Sequence, residues 1–230
     1  MRQPLPLLLI ATSLPACVAA ASTTEPSGAD NLVAAFVTAA PTLDPAVLAR
    51  ALDSARCAQA AGALPADGPH VLTVIDFSLP STAERLWVLD LERGEVLLQT
   101  YVAHGQGTGD DRAERFSNID GSHQSSLGLF RTAERYTGKH GVSLRLDGLD
   151  PGLNDQARAR AIVVHGADYA APAFIEQHGR LGRSWGCPAV ATELIETLVQ
   201  TIEGGAPLFA WYPGDKALDA SRWRACDAPG

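Results

Sequence analysis

Three extended runs follow one another from residue 70 onward, and they restrict this chain to a fold built on an antiparallel sheet. His70 to Phe77, Arg85 to Leu91 and Glu95 to Ala103 are rich in Val, Leu, Ile, Trp and Tyr, and Glu92-Arg93-Gly94 between the last two reads as a hairpin turn. A connection that short leaves no room for the crossover that parallel neighbours need. Further extended segments lie at Gly128 to Thr132, Ser143 to Leu146, Ala161 to Val164 and Leu208 to Tyr212. The chain is therefore expected to be mainly β. Between these segments, His104 to Gly109 and Ser117 to Gly128 are rich in glycine and serine, which predicts loops able to carry a site.

Ahead of residue 70 the pattern is helical. Asn31 to Ala40 places Leu32, Val33, Phe36 and Val37 on one helical face, and Pro41 ends it. A second helix is expected to start with Asp44 as N-cap and Pro45 at the first helical position, running through Leu48, Leu52 and Ala55 toward Gly62. Together they predict a helical hairpin serving as scaffold. One later helix is expected, capped by Thr192, with Leu194, Ile195, Leu198, Val199 and Ile202 on one face and Gly204-Gly205 closing it. The domain reading is a signal peptide over 1–21, a linker and helical hairpin over 22–64, and a catalytic domain over 65–230.

The leader carries Arg2, then an apolar stretch from Leu5 to Leu14, then small residues from Ala16 to Ala21. That is a secretory layout, too short for a permanent membrane span. Cleavage in the small-residue run competes with lipidation at Cys17, and Pro15 just ahead of Ala16 favours the cleaved, soluble form. Export predicts a periplasmic or extracellular protein in a compartment where thiols pair. Once Cys17 leaves with the leader, Cys57, Cys187 and Cys226 remain, an odd count that suggests one disulfide and one free thiol. A formal charge of −8 argues against nucleic acid or an anionic membrane surface as partner.

Two segments end extended runs with a reactive side chain. Ile162-Val163-Val164-His165-Gly166 delivers a histidine, and Gly182-Arg183-Ser184-Trp185-Gly186-Cys187-Pro188 delivers a thiol beside a glycine that permits close backbone approach. An ordinary cysteine is only a few per cent thiolate at neutral pH, so a nucleophilic one needs a base or a cation nearby. His165 is the candidate base, while Arg180 and Arg183 add positive potential. Backbone N–H groups around Gly186 and Cys187 are candidates for stabilising an oxyanion. Taken alone, such a Cys and His are a weak signal, since a buried structural cysteine has the same appearance.

The two motifs resemble the paired His-Gly and Ser-x-Gly-Cys motifs of the L,D-transpeptidase (YkuD-type) fold, and in particular the murein L,D-transpeptidase catalytic domain family. Leu86 to Leu91, Val102-Ala103-His104-Gly105, Phe116-Ser117-Asn118, Gly121 to Gly128 and Gly138-Lys139-His140-Gly141 are similar to the same branch. The likeness runs roughly from Val71 to Pro213. It implies a β-sandwich or barrel, here with the N-terminal helical hairpin and one helix after the cysteine. It also implies Cys187 as nucleophile, His165 as base and the carbonyl of Gly166 as the group that orients the imidazole. Arg183, Ser184, Trp185 and Gly186 become the candidates for substrate and oxyanion contacts. With Cys187 free, the disulfide falls to Cys57 and Cys226.

The chemistry so implied is thiolate attack on an L-residue carbonyl in a peptidoglycan stem peptide, release of the terminal D-residue, and transfer of the acyl group to an amine. A wall-linked protein is one such acceptor. If water replaces the amine, the same apparatus is an L,D-carboxypeptidase or hydrolase; a non-catalytic peptidoglycan-binding module is the remaining alternative. Two departures stand out. Many members have histidine where Trp185 stands, and many continue past the cysteine to an Arg and an Asn that Pro188-Ala189-Val190 lacks. No cofactor is expected. No metal is expected either, because His104, His123, His140 and His178 show no metal-ligand spacing. The first three are candidates for proximity to the cleft, and Tyr136 for lining it.

Overall fold

The computed structural model describes residues 28–226. The leader expected over 1–21, with Cys17, lies outside them. Helices α1 (Gly28–Ala39) and α2 (Pro45–Ala60) flank Pro41. Asp44 caps α2 by accepting a hydrogen bond from the Ala46 N–H at 2.7 Å, with Pro45 following it where a missing N–H costs nothing. Val47, Leu48, Ala51, Ala55 and Ala58 form the buried face of α2. Phe36, Leu43 and Leu48 belong to the same core as Leu72, Ile75, Trp87 and Phe209, so the helices and the sheet share one interior.

Eight strands make a single sheet: β1 (Val71–Asp76), β2 (Leu86–Asp90), β3 (Glu95–Thr100), β4 (Gly128–Gly138), β5 (Gly141–Gly148), β6 (Val163–Gly166), β7 (Ala189–Val190) and β8 (Pro207–Trp211). Their order is β3-β2-β1-β8-β4-β5-β6-β7. Pairing is antiparallel except between β1 and β8 and between β6 and β7. Every residue of β1 and β2 is buried, which is why their sequences read as mostly apolar runs, with Thr73 inside β1 and an Asp at the end of each, rather than as alternation. Beyond β3 the chain returns to the opposite edge, where Ala103 bridges Ala189 and Gly105 bridges Ser184, so the sheet nearly closes on itself. This is the mainly β, barrel-like architecture expected from the sequence.

Strands β4 and β5 extend well past the expected Gly128 to Thr132 and Ser143 to Leu146. Their outer halves, from Glu134 to the tip at Lys139-His140, carry exposed polar side chains and so lack the apolar signal, yet the ladder continues through Arg135–Leu144 and Tyr136–Ser143. After the cysteine come two helices rather than one. In α4 (Ile195–Ile202) the expected face Ile195, Leu198, Val199 and Ile202 is buried. Thr192 is not its cap: its hydroxyl donates to Asp168 at 2.7 Å, and Leu194 occupies the helix entry. The unforeseen short helix α5 (Lys216–Asp219) is capped by Asp215. Also unforeseen is α3 (Pro172–His178), which buries none of its residues and so offers no apolar stripe to read.

The C-terminal arm beyond α5 is tied down as expected. Cys57 and Cys226 form a disulfide, with Cα atoms 5.1 Å apart and a separation of 169 positions in sequence. Arg50 donates to the Leu218 and Trp223 carbonyls at 3.2 and 3.1 Å. The Trp223 indole N–H donates to the Leu149 carbonyl at 2.8 Å, and Asp150 accepts from the Ser221 hydroxyl and the Leu129 N–H. Among the described helices none is long and apolar enough to cross a membrane.

Candidate active site

Parallel pairing of β6 with β7 brings the two motifs together. His165 lies opposite Ala189, so Cys187, just ahead of β7, falls beside the start of β6. The Val163 N–H donates to the Cys187 sulfur at 3.5 Å, and the sulfur lies 3.8 Å from the Ala161 carbonyl oxygen. His165 joins Arg183, Ser184, Trp185 and Cys187 in lining one cleft of about 410 Å³. A second cavity, of about 250 Å³ between α1, α2 and β1, is walled by residues such as Leu32, Leu52, Pro65 and Val71 and contains no thiol.

His165 is buried, and its Nδ1–H donates to the Gly166 carbonyl at 2.9 Å. With the proton of the neutral ring held on Nδ1, Nε2 is the basic nitrogen. Burial lowers the imidazole below its ordinary 6.5, and His140 and Lys139 lower it further against the opposing pull of the Gly166 carbonyl. Cys187 is partly exposed to the cleft but closely surrounded. Burial raises its thiol above 9.0, opposed by the Val163 N–H and by the positive charges of Arg160 and Lys139. Burial therefore acts on both side chains in the direction of their uncharged forms. Among the described residues no hydrogen bond joins the two side chains; such bonds commonly tighten only when substrate is in place.

The turn carrying the thiol is held by Ser184, whose hydroxyl donates to the Cys187 carbonyl at 2.6 Å and accepts from the Gly186 N–H at 3.0 Å. Ser184 therefore shapes the turn from within, and the Gly186 N–H is already used. The Cys187 N–H makes no hydrogen bond among the described residues. Gly186 has φ of 121°, and a Cβ there would come within 2.7 Å of the Gln124 carbonyl oxygen. A Cβ on Gly105 would lie 2.8 Å from the Gly186 Cα. Backbone thus packs on backbone, with Ser125 bridging the two glycines: its hydroxyl accepts from the Gly105 N–H and donates to the Gly186 carbonyl.

Trp185 is 67% exposed, stacked on His123 with ring centroids 5.0 Å apart, and the Lys139 ammonium lies 5.6 Å from its ring centre. His140 stacks on His165 at 4.5 Å. Of the other expected histidines, His104 is buried away from the cleft lining. Its Nδ1 accepts from Arg85 at 2.8 Å, and burial beside that cation lowers it to about 4. Arg183 lines the cleft but pairs with Asp110 at 2.6 Å, so its charge is already engaged. Arg180 donates to the Leu181 carbonyl. Tyr136 lines the cleft with Arg145 over its ring at 4.7 Å.

Sequence reasoning missed Arg160, Lys139 and Tyr169 as cleft residues. Tyr169 is pushed up to about 12, first by burial and then by the neighbouring thiol. It follows the His-Gly motif closely, which is a readable signal; Lys139 lies in the Gly138-Lys139-His140-Gly141 segment singled out for its family likeness, where only His140 was taken as a cleft candidate, and Arg160 sits in no motif that marks it. Among the described residues no group of three or more His, Cys, Asp and Glu side chains is placed to hold a metal ion.

Residues 39–211 match a family model described as the L,D-transpeptidase catalytic domain. Among solved structures, an L,D-transpeptidase from Mycobacterium smegmatis is similar at 16% identity and a TM-score of 0.38, over 62% of this chain and 59% of that one. The helical cell shape determining protein Pgp2 from Campylobacter jejuni is similar at 14% identity and a TM-score of 0.41, over 65% of this chain and 49% of that one. An L,D-transpeptidase from Xylanimonas cellulosilytica is similar at 19% identity and a TM-score of 0.36, over 78% of each chain. The chain spans 59% of the length of the first of these and 49% of the second. No curated protein matches the sequence.

Proposed function

We propose, from the premise that the chain belongs to the L,D-transpeptidase catalytic domain family, that it is an exported acyltransferase of peptidoglycan stem peptides with Cys187 as nucleophile and His165 as base. The observation that carries this reading is the shared cleft, in which the Gly166 carbonyl holds the proton of His165 on Nδ1 and reserves Nε2 for the thiol proton. On this reading His165 takes the Cys187 proton as the sulfur attacks the carbonyl of an L-residue. The S–C bond forms, the C–N bond to the terminal D-residue breaks, and the departing amine takes the proton back from His165. The amine of a second stem, or of a wall-linked protein, then attacks the thioester, gives its proton to His165 and restores the thiol. The Cys187 N–H is the donor for the oxyanion in both steps. The Cys57–Cys226 disulfide is what an oxidising envelope compartment permits, and it supports placement outside the cytoplasm. Helices α1 and α2 are then a brace on the catalytic unit that follows them.

Incubation with a defined disaccharide-tetrapeptide and an acceptor amine tests this by mass spectrometry. The expected result is a transient adduct on Cys187 and a product joined to the acceptor, both absent in Cys187→Ser with its melting curve intact. A tripeptide product in place of the joined one identifies the hydrolase alternative. Binding without an adduct, or turnover that survives in Cys187→Ser, overturns the reading.

A further inference from the structure

Arg160 stands out among the charged groups near the thiol because no carboxylate is paired with it among the described residues. Its donors go to neutral acceptors: Nη1 to the Ser117 carbonyl and the Ser126 hydroxyl, both at 2.7 Å, and Nη2 to the Gln124 carbonyl at 2.7 Å and the Ser122 hydroxyl at 3.3 Å. These bonds fix the guanidinium against the cysteine turn, with Nη2 3.4 Å from where a Cβ on Gly186 would sit. The next residue, Ala161, has φ of 54°, a left-handed conformation that a residue with a side chain adopts at a cost of roughly 1–2 kcal/mol. That reversal lets one short stretch present both the Arg160 side chain and the Ala161 carbonyl to the cleft.

A half-buried cation is costly when its neighbours are neutral dipoles, and neutral dipoles alone do not require a cation to bind them. The charge becomes matched once Cys187 ionises. We propose that Arg160 is a positioning residue for Cys187, its guanidinium serving as the fixed counter-charge of the thiolate, supplied from the turn before β6 rather than from the cysteine's own segment. This deepens the proposed function and rests on Cys187 being its nucleophile. The other charged and titratable groups around the thiol are Lys139 and His140 from the β4–β5 tip, His165 from β6, Tyr169, and Arg183, which Asp110 already pairs; Asp120 acts on Arg160 at longer range.

The test is the pH dependence of alkylation of the full chain by iodoacetamide, with Cys187→Ala as the blank, since the other two described cysteines are in the disulfide. Arg160→Gln is expected to raise the thiol midpoint by about one pH unit, slowing alkylation about tenfold below the midpoint. Arg160→Lys keeps the charge and is expected to titrate near wild type, as is Ser126→Ala, which loosens the clamp and leaves the charge. A wild-type profile in Arg160→Gln, or an equal shift in the glutamine and lysine variants, overturns the proposal. If Arg160→Gln does not fold, a raised midpoint in Arg160→Lys or Ser126→Ala does the same. Because the readout is the thiol itself, it separates this proposal from the nature of the acyl-transfer reaction: a midpoint that moves as expected without stem-peptide turnover leaves Arg160 assigned and the function wrong.

Discussion

Arg50 and Arg160 are both half-buried and both hold a distant piece of chain, but their surroundings differ. Arg50 pins the C-terminal arm to α2 through the Ser54 hydroxyl and the Leu218 and Trp223 carbonyls; burial and Arg224 disfavour its charge, and three carboxylates, Asp150, Asp219 and Asp53, stand near enough to oppose them. Arg160 pins the loop of residues 117–126 to the cleft with neutral acceptors alone as direct partners. At the arm, charges offset one another, a disulfide closes the loop and the indole of Trp223 is buried. At the cleft, Asp120 is the one carboxylate acting on the cation, and burial raises the thiol and lowers the histidine. One region is arranged for its resting state and the other for a state it must still reach.

Substitutions should separate the two. The largest effect on stability is expected from Trp223→Ala, which removes a buried indole and its bond to Leu149 and is expected to cost about 3–5 kcal/mol by denaturant unfolding. The rate of Cys187 alkylation under native conditions should stay the same; a parallel fall would mean that the arm and the cleft are not independent. Next, Cys57→Ala with Cys226→Ala is expected to cost about 2–4 kcal/mol through the freed unfolded chain, again without changing thiol reactivity. The smallest effect comes from the cleft. His165 has its folded value lowered below 6.5, so it acts as a base down to a pH below that value and charges only under more acidic conditions. His140→Ala removes the stacked ring that opposes protonation of His165 and should move the acid limb of turnover upward by roughly a few tenths of a pH unit, since His140 itself lies exposed to solvent screening. The melting temperature should hold. A downward shift would show that His140 supports protonation of His165 rather than opposing it.

These differences also mark what the sequence disclosed. Strands such as β1 and β2 were legible because complete burial leaves a mostly apolar run, and α2 because Asp44-Pro45 caps it by local chemistry. The outer β4–β5 hairpin was not, since solvated strands carry polar residues and are stabilised by the ladder alone. Helix α3 escaped for a similar reason, burying none of its residues. Within the cleft, Cys187 and His165 announced themselves by motif, and the Gly166 carbonyl sits where the resemblance implied. Ser184 and Arg183 were singled out as substrate contacts, yet their bonds go to the Cys187 turn and to Asp110, which only the fold reveals. Arg160 was silent because its position depends on the reversal at Ala161, and a positive φ at alanine has no sequence signature.

The bridges of Ala103 to Ala189 and of Gly105 to Ser184 make a seam where the sheet meets itself, and the cysteine turn is sewn into it. That seam is made of isolated bridges between buried residues, unlike the long β4–β5 ladder, whose outer half is exposed. The cysteine turn is therefore mounted on the joint between the two ends of the sheet, where Ala103 and Gly105 from one side and Ser184 and Ala189 from the other hold it between them.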